Sequence, residues 1–187
     1  MDKQSVRSKI RATKALLTAR EKREAAESVW AALEQTAAFM MSDHILMYHS
    51  LADELDTRGL LSKWCHSKKF YLPRVNGVNL DILPFEPESL EEGAYHIMEP
   101  VGADVTPLSD IEMIIVPAVA YDVRGNRVGR GKGFYDRLLA DARALKVGVG
   151  YDFQVVDEID SEPHDVGVDV VITESRVLRI TPKSRKL

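Results

Sequence analysis

The chain has 187 residues, 45% hydrophobic and 29% charged, which is enough for one domain with a sizeable core and too apolar for a disordered polymer. Its 25 basic and 29 acidic side chains give a formal charge of −4, so no global positive field holds nucleic acid or an anionic membrane, and any anionic ligand must be captured locally. The longest strongly apolar run, Met113 to Tyr121, is about half a membrane-spanning helix, and the N-terminal MDKQSVRSK lacks a signal-like apolar region; a cytoplasmic address is expected, with no nucleic-acid or membrane partner and a monomer favoured.

Residues 2–20 are predicted as a helix, because Val6, Ile10, Thr13 and Leu17 recur at helical spacing while Lys3, Arg7, Arg11 and Lys14 fall on another side. A second helix is predicted over about 21–40, with Ala25, Val29, Trp30, Leu33 and Ala37 as its buried stripe. His44 to Leu51 is a short apolar run and reads as a buried strand. Asp56 then offers an N-cap for a helix whose apolar face is Leu60, Leu61 and Trp64. The single cysteine, Cys65, follows in that segment; it excludes an intrachain disulfide and reads as packed rather than catalytic.

Lys69 to Val75 and Val78 to Phe85 flank Asn76-Gly77, a hairpin dipeptide, and Pro73 and Pro84 place these strands near a sheet edge. Glu86 to Asp110, rich in Pro, Gly and acidic residues, is expected to be a long surface loop. Ile111 to Ala120 is the most apolar strand candidate, ending near Pro117, and the turn DVRGNR leads from it into a glycine-rich stretch. From Phe134, the positions Leu138, Leu139, Ala142 and Leu145 trace one helix face; Val147 to Tyr151 and Asp169 to Thr173 supply further strands. The final Arg185-Lys186-Leu187 reads as a solvated basic tail. Strands alternating with helices predict an α/β chain: one domain over 1–187, a three-layer open sheet, largely parallel with a mixed hairpin edge and helices on both faces.

The densest chemical signal is Arg127 to Asp136, placed between the most apolar strand and a helix. Gly129, Gly131 and Gly133 permit positive φ and close backbone approach, so successive amides can face an anion at a helix N-terminus. Arg127, Arg130 and Lys132 add fixed positive charge suited to phosphoryl oxygens. The pattern is not a Walker A motif, since Gly133 follows Lys132 and Asn126 stands at the first glycine's place; it reads as a phosphate cradle or a flexible basic connector. Asp136, in the first helical turn, suits magnesium or simply the helix dipole. Asp165 and Asp169 either complete a hard-oxygen site or end a turn. Lys3 and Arg7 share a helix face and either reach a phosphate together or form a solvated surface. Glu54 is a candidate for a nitrogen-rich heterocycle, with Asp53 and Asp56 as acidic neighbours. The five histidines, at 44, 49, 66, 96 and 164, form no HExxH or Cys-His pattern, and no Gly-x-Ser-x-Gly elbow occurs.

Three motifs, Lys3-x-x-x-Arg7, HILMYHSLADELDT and RVGRGKGFYDRLL, resemble the 5-formyltetrahydrofolate cyclo-ligase family in their order along the chain. FYLPRV, the MEP at 98–100 and HDVGVDVVIT look similar too, so the resemblance covers most of the sequence. It implies ATP binding by Lys3, Gln4, Ser5, Val6 and Arg7, and by Arg127, Val128, Gly129, Arg130, Gly131, Lys132, Gly133, Phe134 and Tyr135. It implies folate contacts from His49 and Glu54 and from Arg130, Gly131, Lys132, Gly133 and Phe134, with Arg130 and Lys132 catalytic and Asp136 and Asp165 holding Mg2+. The implied reaction moves the ATP γ-phosphoryl group to the N5-formyl oxygen, after which N10 attacks and phosphate leaves. Phe134 departs from the family's frequent second tyrosine, keeping a ring but no phenol. A sugar-phosphate or CoA-handling enzyme, or a non-catalytic folate- or nucleic-acid-binding protein on a related sheet, is the competing reading.

Overall fold

A computed structural model describes residues 1–181; the basic tail at 185–187 lies outside the described residues. The predicted first helix divides. Helix α1 spans Lys3–Lys14, capped by Asp2, whose carboxylate accepts from the amides of Gln4 (3.1 Å) and Ser5 (3.0 Å). Helix α2, Ala19–Glu34, starts on a reciprocal capping box between Thr18 and Glu21, which is why the chain breaks at 15–18 instead of running on. It ends earlier than expected, and Thr36 caps a short α3, Ala37–Met41.

Strand β1 is only His44–Leu46; Met47 and Tyr48 stay buried beyond it, and the chain turns at Leu51 to Glu54. His49 and Glu54 are therefore loop residues rather than strand residues. In α4, Arg58–Trp64, Thr57 occupies the cap position, while Asp56 accepts the Arg58 amide at 2.9 Å. Cys65 is partly buried against the core, as expected. Strands β2, Lys69–Asn76, and β3, Asn79–Pro84, form the hairpin around Asn76-Gly77. The segment 86–110 is not structureless: β4, Leu90–Glu92, pairs with β5, Met98–Pro100.

Strand β6, Met113–Val116, stops before Pro117. Two short strands not foreseen from sequence follow, β7, Ala120–Asp122, and β8, Arg127–Val128. Helix α5 covers Phe134–Ala140 only, because Leu145 opens β9, Leu145–Val149. Strands β10, Val155–Val156, β11, Val170–Ile172, and β12, Val177–Arg179, complete the chain.

The main sheet has the order β12-β11-β9-β6-β1-β2-β3, parallel through β11 to β2 with an antiparallel strand at each edge. Every residue of β6 is buried, as a strand covered on both faces requires. One face packs Val29, Trp30, Leu33, Phe39 and Leu61 against Ile45, Met47, Ile115 and Val147; the other packs Leu139 of α5 against Leu46, Ile114, Val116 and Val171. This is the expected three-layer α/β arrangement. Helix α1 stands apart, with Val6 and Ile10 seated on Ala120, Val128, Val156 and Ile159 over the small sheet β10-β7-β8. No helix among the described residues is long and apolar enough to cross a membrane.

Gly148 fixes how the two sheets meet. A Cβ there would fall 2.3 Å from Tyr121 Cε1, and the ring cannot retreat, because its hydroxyl donates to Val116 O at 2.6 Å and accepts from Val149 N at 3.2 Å. Gly148→Ala is expected to destabilise the fold by about 1–3 kcal/mol, read as a lower urea midpoint at unchanged slope. An unchanged midpoint would contradict this close approach.

Candidate active site

A cavity of about 690 Å³ opens where β1 and β6 end, lined there by Tyr48, His49, Pro117 and Ala118. Ligands of open α/β sheets collect at this edge. Its other walls are the loop 127–136, Lys3 and Arg7 of α1, the β4–β5 hairpin and an arm carrying Glu162, His164 and Asp165.

The loop leaves β8 and enters α5 through two left-handed residues, Gly131 (φ 99°) and Gly133 (φ 69°), positions that tolerate a Cβ poorly. Gly129 does not need positive φ, contrary to the expectation of three such glycines. The three loop cations have three different fates. Arg127, with only 4% of its side chain exposed, donates to Val166 O (3.0 Å) and to Asp136 Oδ1 (2.5 Å), and that same oxygen accepts from Val166 N (3.1 Å). Its charge braces the loop rather than waiting for a ligand. Arg130 reaches across the cavity to Asp53 (2.7 Å) and Glu54 (3.1 Å). The Lys132 ammonium lies over the Tyr95 ring at 5.4 Å and pairs with no carboxylate among the described residues.

Helix α1 is tied to this loop by Arg7 Nε, which donates to Gly129 O at 2.9 Å. One turn earlier, Lys3 Nζ donates to Asp165 Oδ2 (2.6 Å) and Glu162 Oε2 (2.8 Å). Burial pushes the Asp165 carboxyl up, but the bonds from Lys3 and the Glu162 amide outweigh it and hold the group below its ordinary value. Ligand atoms of Glu162, His164 and Asp165 lie within 4.8 Å of one another, a set able to hold a cation. Burial, with Arg58 nearby, lowers the His49 imidazole, while burial pushes the Tyr135 phenol well up. The Tyr135 hydroxyl is buried and has no hydrogen-bond partner among the described residues.

Lys3, Arg7, His49, Glu54, Arg127, Asp136, Asp165 and the loop from Gly129 to Tyr135 thus line one cavity. Gln4 and Ser5 are exposed on α1, and Val6 and Val128 are buried in its seat, so these four do not line it. Asp169 also lies outside: it precedes β11 and accepts the Lys146 amide at 3.0 Å, at the opposite end of the strands. Tyr95, Ile97 and Met98 also line the cavity; of these only Met98, in the MEP at 98–100, belongs to a motif singled out from the sequence, and none was assigned a site role. Tyr95 has φ 60° and meets Phe134 edge-on at 6.1 Å.

Residues 1–174 match the sequence model of the 5-formyltetrahydrofolate cyclo-ligase family. The chain belongs to this family. The 5-formyltetrahydrofolate cyclo-ligase of Escherichia coli K12 is 33% identical over 178 residues, covering 90% of this chain and 98% of its own. That of Haemophilus influenzae is 32% identical over 174 residues, covering 88% and 93%. The solution structure of Aquifex aeolicus 5,10-methenyltetrahydrofolate synthetase superposes with a TM-score of 0.87 at 36% identity, covering 95% of this chain and 92% of that one. Membership of the cyclo-ligase family makes the chain an enzyme, a ligase of folate one-carbon chemistry.

In this cyclo-ligase the Lys3–Asp165 pair is the most readily tested electrostatic contact. A carboxyl held below its ordinary 3.8 adds stability that is present above that pH and is lost as pH falls through the depressed value. In Lys3→Met the Asp165 titration, followed by carboxyl NMR, is expected to move up. The stability gap from wild type should be widest at neutral pH and close in acid. A gap that persists unchanged in acid would show that Lys3 acts other than through this carboxylate.

Proposed function

We propose that this chain converts 5-formyltetrahydrofolate, ATP and Mg2+ to 5,10-methenyltetrahydrofolate, ADP and phosphate. The supporting observation is that Arg130, on the glycine-and-cation loop, spans one cavity to the Glu54 carboxylate. A guanidinium so placed sits between the position for a triphosphate and the position for a heterocycle.

The ATP end consists of Lys3, Arg7, the backbone of residues 127–135 and the cations Arg130 and Lys132, with Arg127 bracing the loop. The folate end consists of Glu54 and His49 with the apolar wall of Tyr48, Val75, Leu80 and Met98, and with Phe134 and Tyr95 as ring contacts. Glu54 Oε2 accepts the Leu51 amide at 2.9 Å, which orients the carboxylate and leaves Oε1 to Arg130 or to substrate N–H groups. The γ-phosphoryl group passes from ADP's oxygen to the formyl oxygen on N5. N10 then forms the new C–N bond, its proton is lost, and phosphate departs carrying the former formyl oxygen. Such a transfer needs positioning and charge neutralisation more than a protein nucleophile, which agrees with a cavity rich in cations.

The donor set fits magnesium, a hard cation that prefers oxygen ligands. Asp165 and Asp136 would hold it, and Lys3 already places one positive charge on Asp165. Bound there, the metal would neutralise phosphate charge. The proposed setting is a monomeric cytoplasmic enzyme acting on two small molecules, in keeping with a lone partly buried cysteine.

Purified protein mixed with 5-formyltetrahydrofolate, Mg2+ and ATP is expected to generate the near-ultraviolet absorbance of the methenyl product, and none without ATP. Formyl oxygen labelled with heavy isotope should appear in the released phosphate. Arg130→Ala and Lys132→Ala should each lower kcat/KM by about a hundredfold or more while unfolding at the wild-type midpoint. Near-normal turnover in both variants would remove their assigned roles, and no product from the wild type would sink the whole reading.

A further inference from the structure

Asp122 lies outside the cavity and is wholly buried, yet its carboxylate holds both the turn that enters the glycine-and-cation loop and the backbone of Ile159, in the seat of α1. Its Oδ1 accepts from the amides of Arg124 and Asn126, both at 2.9 Å; its Oδ2 accepts from Asn126 Nδ2 at 2.9 Å and from the Ile159 amide at 3.0 Å. Three of these bonds close the turn that leads directly into Arg127. The fourth ties that turn to Ile159, whose side chain belongs to the seat of Val6 and Ile10 on α1.

The same turn holds the acidic arm at a second point. Gly125 O accepts the Val168 amide at 2.8 Å, and a Cβ on Gly125 would lie 2.5 Å from Val168 O. The arm bearing Glu162 and Asp165 is thus suspended between residues 159 and 168, and both suspension points rest on 122–126. Between them, Arg127 reaches Val166 O. His49 and Glu54 lie on the loop after β1 of the main sheet and make no hydrogen bond to residues 122–126 among the described residues.

We infer that Asp122 is a positioning residue that sets the register between the phosphate loop, the seat of α1 and the Asp165 arm. It touches no ligand. It fixes the distance between the loop cations and the arm carboxylate, so its loss changes nucleotide and magnesium binding far more than it disturbs the Glu54 and His49 wall. The ligand readouts rest on the function proposed above; the exchange readout below does not.

In Asp122→Asn an amide NH2 replaces one acceptor and faces backbone N–H donors, so at least one bond is lost whichever way the side chain turns. Calorimetry of this variant should show MgATP affinity weakened about tenfold, with 5-formyltetrahydrofolate affinity, measured without nucleotide, within about twofold of wild type. Amide hydrogen exchange should quicken in 129–133 and 160–166 together and stay unchanged in β1 and β2. Asn126→Ala removes only the Nδ2 bond and should show the same pattern at about threefold; it decides the matter where Asp122→Asn fails to fold. Equal weakening of both ligands, undiminished MgATP binding or faster exchange in one segment alone would overturn the inference. A wild-type protein that binds neither ligand would instead count against the proposed function, and the paired exchange response would still test Asp122.

Discussion

A cavity that gathers several cations must hold them together. Like charges this close repel, and this structure relieves the repulsion by pairing three cations with carboxylates: Arg127 with Asp136 of its own loop, and, from distant parts of the chain, Arg130 with Asp53 and Glu54 and Lys3 with Glu162 and Asp165. Burial separates these pairs by kind. Arg127 and Asp136 are 4% and 22% exposed and carry further backbone bonds, so removing either partner would strand a desolvated charge. Arg130 and Asp53 are 47% and 54% exposed, where an ion pair contributes about 0–1 kcal/mol and yields cheaply to an incoming anion. The buried pair is scaffold; the exposed one is exchangeable.

That division follows the architecture. The main sheet supplies the ends of β1 and β6 and, with them, the loop of His49 and Glu54. The small sheet β10-β7-β8 supplies the other half, because α1 sits on it and the glycine-and-cation loop grows out of β8. Arg7 and Gly129 close this second half on itself at 2.9 Å. Arg130 is the contact that crosses from one half to the other.

The residues of the site were largely legible, and the small sheet was not. A run such as Arg127 to Asp136 stands out because glycines that permit close backbone approach alternate with fixed positive charge. Strands of two or three residues, like Val155–Val156 and Arg127–Val128, carry no readable period, so the platform beneath α1 left no sequence signal. Leu145 was assigned to the helix because one apolar residue at i+3 fits a helix face as well as the start of a strand. Asp165 and Asp169 looked interchangeable four residues apart, but only Asp165 lies on the cavity side; Asp169 closes the far end of β9 and β11. Tyr95 was missed because its backbone is left-handed, and a tyrosine gives no hint of that.

The aromatic pair that opens α5, Phe134 and Tyr135, divides its work between the cavity and the core. Phe134 meets the Tyr95 ring edge-on, and the Arg137 guanidinium lies 5.5 Å from its centroid, so this position works through its ring face and edge. Tyr135 turns instead toward the core cluster around Leu46 and Leu139. Its hydroxyl is desolvated without a partner among the described residues, an arrangement that costs about 1–3 kcal/mol. A phenol at 134 would add a polar group that the ring contacts do not use, whereas the phenol at 135 remains in the wall of the cavity. Position 134 thus works through aromatic and cationic contacts of its ring, whereas the hydroxyl at 135 is enclosed by the cavity wall.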